Sequence, residues 1–179
     1  MKVILDIETV GYNFDTLSES QQEFILRYAE KEKDELTKQE KKDEAIRYLS
    51  LYPFTANLVA LGLLNVESGK SSVLYLDNQN TEFENEEKTV KYKSFSEEEL
   101  LTVFWNYISK ASTIITFNGK NFDLPFLMLR SAMLKVKPSI DLTNLRKHKI
   151  THVDLLEQYS YKNTIKKFNL DFYCKSFGI

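Results

Sequence analysis

The first ten residues, MKVILDIETV, constrain the fold more than any other segment of the chain. Apolar side chains recur at every second position, at Val3, Leu5 and Ile7. Because side chains on a β-strand point alternately to its two faces, this period predicts a strand over residues 2–8 with one apolar face. The sequence therefore predicts that the N-terminus lies inside a sheet and covers a hydrophobic core.

Two acids, Asp6 and Glu8, lie on the other face of this predicted strand. At a rise of about 3.3 Å per residue, their Cα atoms are roughly 6.6 Å apart. Two carboxylates so placed repel each other, and one of them stays protonated unless a cation lies between them. Hard divalent cations prefer oxygen ligands, so the pair predicts a Mg²⁺ or Mn²⁺ site. The motif alone leaves open the alternative that both acids lie beyond the strand, in solvent.

The segment TFNGKNFDLPFL, residues 116–127, carries the next candidate acid. A predicted strand ends in it, Gly119 turns the chain, and Asp123 falls in the first turn of a predicted helix. An acid at that position is also explained by its favourable interaction with the helix dipole. A third motif, HVD at residues 152–154, is weaker because the pattern His–x–Asp is common in surface loops.

The rest of the chain shows alternating strand and helix patterns. Further strands are expected over residues 57–66, 71–76, 113–117 and 151–156, and helices over residues 97–110, 122–134 and 163–177. Residues 77–93 predict loops with one short strand, and residues 18–50 predict an exposed, charged helical insertion. Strands that come first and then alternate with helices favour an α/β class with a mixed sheet, as one domain over residues 1–179.

Composition and charge exclude several classes of protein. The 179 residues carry 24 Lys and Arg against 26 Asp and Glu, a net charge of −2 that neither predicts nor excludes a nucleic-acid partner. No run of about 18 apolar residues is present, which excludes a transmembrane helix. The acids in the N-terminal apolar run argue against a signal peptide. The single cysteine, Cys174, cannot form an internal disulfide, and these features together predict a cytoplasmic protein.

In order along the chain, the segments D-I-E-T, F-N-G-K-N-F-D-L-P-F-L and H-V-D-L-L resemble the motifs of the DnaQ-like, or DEDD, 3′–5′ exonucleases. In particular, the chain is similar to predicted exonucleases related to the proofreading domain of family B DNA polymerases. The resemblance implies an RNase H-like fold, in which helices flank a mixed sheet and acids from separate segments meet at one edge. It also implies 3′–5′ hydrolysis at the 3′ end of single-stranded DNA or RNA, with DNA favoured, at a site for two Mg²⁺ or Mn²⁺ ions.

The resemblance also assigns roles to individual positions. Three acids would be the catalytic metal ligands: Asp6, Glu8 and Asp123. Three further positions would bind the substrate: Thr9, Asn118 and Phe122. For Phe122, packing in the core is an equally good interpretation. Asp154 would support the site without binding metal itself.

The third motif of the family has no match in this sequence. That motif places a fourth metal-binding Asp four residues after a Tyr or five after a His, but Asn163 follows Tyr159 and Glu157 follows His152 at those spacings. We therefore expect a domain that lacks the family's C-terminal helix and holds its second ion weakly. The alternative function is a non-catalytic or truncated exonuclease-like module that binds nucleic acid.

Two other enzyme classes are less favoured by the residues. The opening D-I-E-T-V superficially resembles that of haloacid-dehalogenase-like phosphatases, but Glu8 stands where those proteins have an Asp, and no later pair of acids follows. A zinc site is weaker still, because His148 and His152 lie four residues apart without the Glu or Cys set that zinc sites use.

Overall fold

A seven-stranded mixed sheet forms the centre of the computed structural model, which describes residues 1–179. The strands are β1 (Lys2–Gly11), β2 (Ala56–Asn65), β3 (Ser71–Leu76), β4 (Glu82–Glu84), β5 (Val90–Phe95), β6 (Thr113–Thr116) and β7 (Thr151–Asp154). Their order is β4-β5-β3-β2-β1-β6-β7. Strands β1, β2 and β3 pair antiparallel, whereas β6 is parallel to β1 and β7 is parallel to β6. The predicted α/β class with a mixed sheet is confirmed.

Six α-helices accompany the sheet. They are α1 (Glu19–Leu26), α2 (Glu35–Arg47), α3 (Glu97–Ile108), α4 (Asp123–Met133), α5 (Leu155–Tyr159) and α6 (Leu170–Phe177). Helix α3 begins with a capping box, in which the Ser96 hydroxyl accepts from the Glu99 backbone and the Glu99 carboxylate accepts from the Ser96 backbone. None of the helices has the length and apolar character needed to cross a membrane.

The hydrophobic core lies against one face of the sheet. The side chains of Val3, Leu5 and Ile7 are buried in it, as their alternation predicted. Helix α3 contributes Trp105, whose indole N–H donates to the Ser131 hydroxyl of α4 at 2.9 Å. The pairing of a buried indole with a buried hydroxyl satisfies both polar groups, so the two helices are joined without an unmet hydrogen bond.

Strand β1 is longer than predicted. It continues to Gly11, because its pairing with β2 resumes beyond a bulge between Glu8 and Thr9 and ends only where Gly11 faces Ala56. The two acids of β1 therefore lie inside the strand and not beyond its end.

Two other predicted boundaries were wrong. The segment 77–93 was expected to hold one short strand, but it contains β4 and the first part of β5. The two strands pair with each other through Phe83 stacked on Tyr92, and β5 pairs with the distant β3, a contact that local periodicity does not reveal. The last helix was expected from residue 163 but begins at Leu170, because the Asn169 side chain caps it and Asn163 adopts a left-handed conformation.

The charged segment 18–50 folds as α1 and α2, followed by a 3-10 turn over Tyr48–Leu51. Helix α2 buries no residue completely. The turn is fastened to the central sheet, because the Thr9 hydroxyl donates to the Ser50 carbonyl at 2.6 Å. The segment is thus exposed along its helices and fixed at its return to the sheet.

A buried network centred on Arg130 joins α4 to the rest of the fold. The Arg130 guanidinium makes two parallel hydrogen bonds to the Glu97 carboxylate, at 2.6 and 2.7 Å. It also donates to the Tyr12 hydroxyl and to the Asn57 side chain, at 2.6 and 2.7 Å. Glu97 in turn accepts from the Leu58 backbone N–H at 2.8 Å, so α3, α4 and β2 share one set of contacts.

We expect Arg130→Ala to lower the free energy of unfolding by roughly 3–5 kcal/mol, because it leaves the largely enclosed Glu97 carboxylate without its counter-ion. Urea denaturation followed by circular dichroism measures this loss. Lys175→Ala is the matched control, since its ion pair with Asp171 is exposed and such pairs contribute about 0–1 kcal/mol. A loss of stability in Arg130→Ala no larger than in the control would contradict the structural role of the network.

Candidate metal centre

The candidate centre begins on the face of β1 opposite the hydrophobic core. Asp6 and Glu8 both project from this face, and both side chains are accessible to solvent. Partial loss of hydration raises the pKa of Asp6 from its ordinary value, while a hydrogen bond from the Ile7 backbone opposes the shift. The ionised form of Asp6 is therefore less stable here than in water.

Asp123 is the second component, and it is brought to β1 by the start of helix α4. Its side chain is only 2% exposed, and its Oδ1 accepts a hydrogen bond from the Ile7 backbone N–H at 3.2 Å. Burial raises the pKa of Asp123 to about 7, a hydrogen bond from its own backbone N–H lowers it, and the negative charges of Asp6 and Asp154 raise it further. Two acids 117 positions apart in the chain thus come together, and neither forms an ion pair with a Lys, Arg or His side chain.

The turn before α4 fixes where Asp123 lies. Asn118 has a left-handed backbone (φ 62°), and its carbonyl accepts from the backbone N–H groups of Asn121 and Phe122. Gly119 packs so closely on Thr116 that an added Cβ would fall well inside van der Waals contact with that side chain. The F-N-G pattern is therefore required by the tight passage from β6 into α4.

Asp154 holds the same turn from the neighbouring strand. Its Oδ1 accepts from the backbone N–H groups of Asn118 and Leu156, at 2.9 and 3.0 Å, and its Oδ2 accepts from that of Lys120 at 3.0 Å. The residue is buried, and both of its oxygens are engaged. Asp154 therefore acts on the geometry of the turn that precedes Asp123.

The three predicted substrate contacts have different surroundings. Thr9 directly follows Glu8 in the chain, and its hydroxyl donates to the Ser50 carbonyl. The Asn118 side chain accepts from the Asn121 amide at 3.0 Å. Phe122 packs against the core, with its ring 5.8 Å from that of Phe126, and remains partly exposed. The structure brings Asn118 and Phe122 into the turn beside Asp123, and their role toward a substrate stays a prediction.

The donor chemistry of the pair fits a hard divalent cation, since Asp6 and Asp123 offer carboxylate oxygens only. Their mutual repulsion is what a bound cation would relieve. Glu8 is the next acid along the same face of β1. No group of three or more His, Cys, Asp or Glu side chains is arranged to hold an ion, so the protein provides an acid pair and not a closed cage.

Sequence reasoning missed an aromatic cluster close to this edge of the sheet. Phe117, directly after β6, lies edge-on to Tyr173 of α6 with ring centroids 6.0 Å apart. Tyr159 packs against Tyr173 and Phe177, at 5.1 and 5.4 Å. The spacing of Tyr173 and Phe177 by four residues was the available signal, because it puts both rings on one face of a helix. The cluster holds α6 against the end of β6.

Comparison with known families agrees with the motifs. Residues 65–179 match the family of predicted 3′–5′ exonucleases related to the exonuclease domain of PolB, and the chain belongs to that family. The matched segment is nearly two thirds of the chain and contains Asn118, Phe122, Asp123 and Asp154, whereas Asp6 and Glu8 precede it. The sheet and its helices have the RNase H-like arrangement that the resemblance implied. No curated protein matches the chain.

The raised pKa of Asp123 predicts how stability varies with pH in the absence of metal. Between pH 4 and 7 the folded state keeps a proton that the unfolded state, with a pKa near 3.8, releases. Rising pH therefore costs stability through this window, and the full cost is present above pH 7. We expect Asp123→Asn to be more stable than the wild-type protein by roughly 1–3 kcal/mol at pH 8, and by much less at pH 4.5.

Thermal melts in EDTA at the two pH values measure this difference. The matched control is Asp141→Asn, because hydrogen bonds from Thr143 lower the pKa of Asp141 and its loss should not stabilise the protein at pH 8. A destabilised Asp123→Asn at pH 8 would show that the buried carboxylate is already balanced in the metal-free protein.

Proposed function

We propose that the chain is a metal-dependent 3′–5′ exonuclease that hydrolyses single-stranded nucleic acid, with DNA favoured over RNA. Family membership supports an exonuclease-related activity and a nucleic-acid substrate. The observation that carries the proposal is the buried acid Asp123, held against Asp6 without a compensating charge. Strongly perturbed acids of this kind are concentrated at functional sites.

Asp6, Glu8 and Asp123 would hold Mg²⁺ or Mn²⁺, in a two-ion site whose second ion is weakly bound. A bound divalent cation supplies Lewis-acid chemistry, which activates water and offsets charge on the phosphodiester. The protein contributes position: β1 fixes Asp6 and Glu8 within a paired strand, and the Ile7 N–H fixes Asp123. Preorganised acids of this kind do not have to be reoriented when the substrate arrives.

The surface beside these acids would receive the 3′ end of the strand. Asn118 and Phe122 lie in the turn that Asp154 holds, and Thr9 directly follows Glu8. A partly exposed ring such as that of Phe122 stacks on bases without regard to sequence, which suits a single-stranded substrate. We also propose that residues 1–179 form one exonuclease-like domain. Its cytoplasmic location stays a prediction.

A second function is favoured by one observation. Because no three acids are arranged around a single point, the chain has the properties expected of an exonuclease-like module that binds nucleic acid without cutting it. Metal-independent binding to single strands, with no product, would select this alternative.

The decisive assay uses a 5′-labelled single-stranded oligonucleotide, as DNA and RNA in parallel, with Mn²⁺, Mg²⁺ or EDTA. We expect a metal-dependent ladder that shortens from the 3′ end, faster on DNA. Asp6→Asn and Asp123→Asn should each reduce the rate at least about 100-fold while the circular dichroism spectrum is retained, because each removes a charge from the metal site. An intact oligonucleotide under every condition would favour the binding module.

Glu86→Gln is the matched control, since Glu86 is an exposed acid in the connection between β4 and β5. Its rate should equal that of the wild-type protein. Equal rates in Asp123→Asn and the wild-type protein would show that the chemistry lies elsewhere.

A further inference from the structure

An open groove of about 670 Å³ lies between α1, α2 and the segment that leads into β2. Five aromatic side chains line it: Phe24, Tyr28, Tyr48, Tyr52 and Phe54. Each of them is at least 39% exposed, and none stacks on another ring. We call this surface the aromatic groove. Exposed apolar surface that is gathered in one concave site marks a binding site and not a random feature of the surface.

Two cations beside the aromatic groove, Arg27 and Lys31, have no carboxylate partner. Arg27 is the one charged residue in its lining, and its guanidinium lies over the rings of Phe24 and Tyr28, at 3.6 and 4.5 Å. The ammonium group of Lys31 lies 5.4 Å from the Tyr28 ring. No carboxylate lies within 4.0 Å of either cation.

Two acids that follow α1 in the chain, Glu30 and Glu32, are paired with lysines of α2. Glu30 pairs with Lys38 and Lys42, each at 2.7 Å, and Glu32 pairs with Lys41. Arg27 and Lys31 therefore lie beside the groove without a carboxylate partner, and the Arg27 guanidinium donates to the Phe24 backbone carbonyl at 2.6 Å. Exposed rings combined with unpaired cations complement a ligand that has flat aromatic faces and negative charge, which is the chemistry of single-stranded nucleic acid.

The aromatic groove is also attached to the strand that carries the acids. Thr9, next to Glu8, donates to the Ser50 carbonyl, and an added Cβ on Gly11 would come within 3.0 Å of Leu49. The backbone N–H of Tyr12 donates to the Thr55 carbonyl at 2.7 Å. At about 3.3 Å per residue, Thr9 lies roughly 10 Å along β1 from Asp6. A single strand of nucleic acid can therefore contact both the acids of β1 and the aromatic groove.

We propose that the aromatic groove binds single-stranded nucleic acid upstream of the 3′ end that enters the acid site. The inference rests on the proposed function and extends it to a second contact with the same strand. Bases stack on the exposed rings, and Arg27 contacts the phosphates or the bases. The aromatic groove is built entirely from residues 20–55, before the segment that matches the exonuclease family.

Fluorescence anisotropy in EDTA tests the proposal without cleavage. The probes are 5′-labelled single-stranded DNA of 4 and 16 nucleotides. We expect the wild-type protein to bind the longer probe at least tenfold more tightly, because the longer probe supplies more bases to stack on the rings of the aromatic groove. The double variant Phe24→Ala/Tyr52→Ala should lose this length advantage, since stacking on an aromatic side chain contributes about tenfold or more per base.

Two controls accompany the double variant. Phe83→Ala removes an exposed aromatic side chain from β4, at the far edge of the sheet, and should keep the length advantage. Tyr52→Phe keeps the aromatic ring and should also retain the tighter binding of the longer probe. Arg27→Gln should make binding of the longer probe less dependent on salt, because it removes one cation that displaces counter-ions.

A measurement on the wild-type protein keeps the proposal testable if the double variant does not fold. Photocrosslinking of a 16-nucleotide strand that carries 5-iododeoxyuridine should attach it to one of the five aromatic residues of the groove: Phe24, Tyr28, Tyr48, Tyr52 or Phe54. Crosslinks confined to other residues would overturn the proposal. So would a double variant that binds the longer probe as tightly as the wild-type protein, and the aromatic groove would then be assigned to a protein partner.

These outcomes are distinguishable from failure of the proposed function. If the wild-type protein yields a 3′–5′ ladder and substitutions in the aromatic groove do not change binding, the proposed exonuclease function stands and the proposed role of the groove is wrong. A wild-type protein that binds neither probe and yields no ladder would overturn both.

Discussion

The contacts of Arg130 set the position of the helix on which the candidate site depends. Its guanidinium is shared between the Glu97 carboxylate, the Tyr12 hydroxyl and the Asn57 side chain, so α4 is joined to α3, to β2 and to the end of β1. Asp123 lies seven residues earlier on α4, about 10 Å along the helix axis at 1.5 Å per residue. A buried ion pair such as this one contributes geometry more surely than net stability. The network thus holds one end of α4 while the Ile7 N–H holds the acid at the other end.

The candidate site itself works against the stability of the metal-free fold. Asp123 is buried beside another acid, and burial together with the charge of Asp6 raises its pKa to about 7, while the one hydrogen bond that it accepts from outside its own helix, from the Ile7 N–H, opposes this shift. Asp154 is also a buried acid, but its carboxylate accepts hydrogen bonds from three backbone N–H groups. One carboxylate therefore stabilises a turn, whereas the other is held in a position that only a cation or a proton balances. This contrast within one turn supports the proposed role of Asp123 as a metal ligand.

Local patterns predicted the elements whose formation depends on their own residues. The alternation at Val3, Leu5 and Ile7 identified β1, and the Ser96–Glu99 capping box identified the start of α3. The family motifs selected Asp6 and Asp123 as partners, although pairing across 117 positions has no local signature. The sequence did not reveal the pairing of β5 with β3, the bulge that extends β1, or the aromatic groove, since each depends on contacts between distant segments.

The whole segment between Gly11 and Ala56 connects two adjacent antiparallel strands, and these two residues face each other across the pair. In topological terms it is an enlarged hairpin loop. Because the entropy of closing a loop grows only slowly with its length, such a connection can be shortened or extended with little effect on the register of the strands. The acids of β1 belong to the sheet, whereas α1 and α2 belong to the loop. Changes in this loop can therefore alter the proposed binding surface while the acids of β1 keep their place in the sheet.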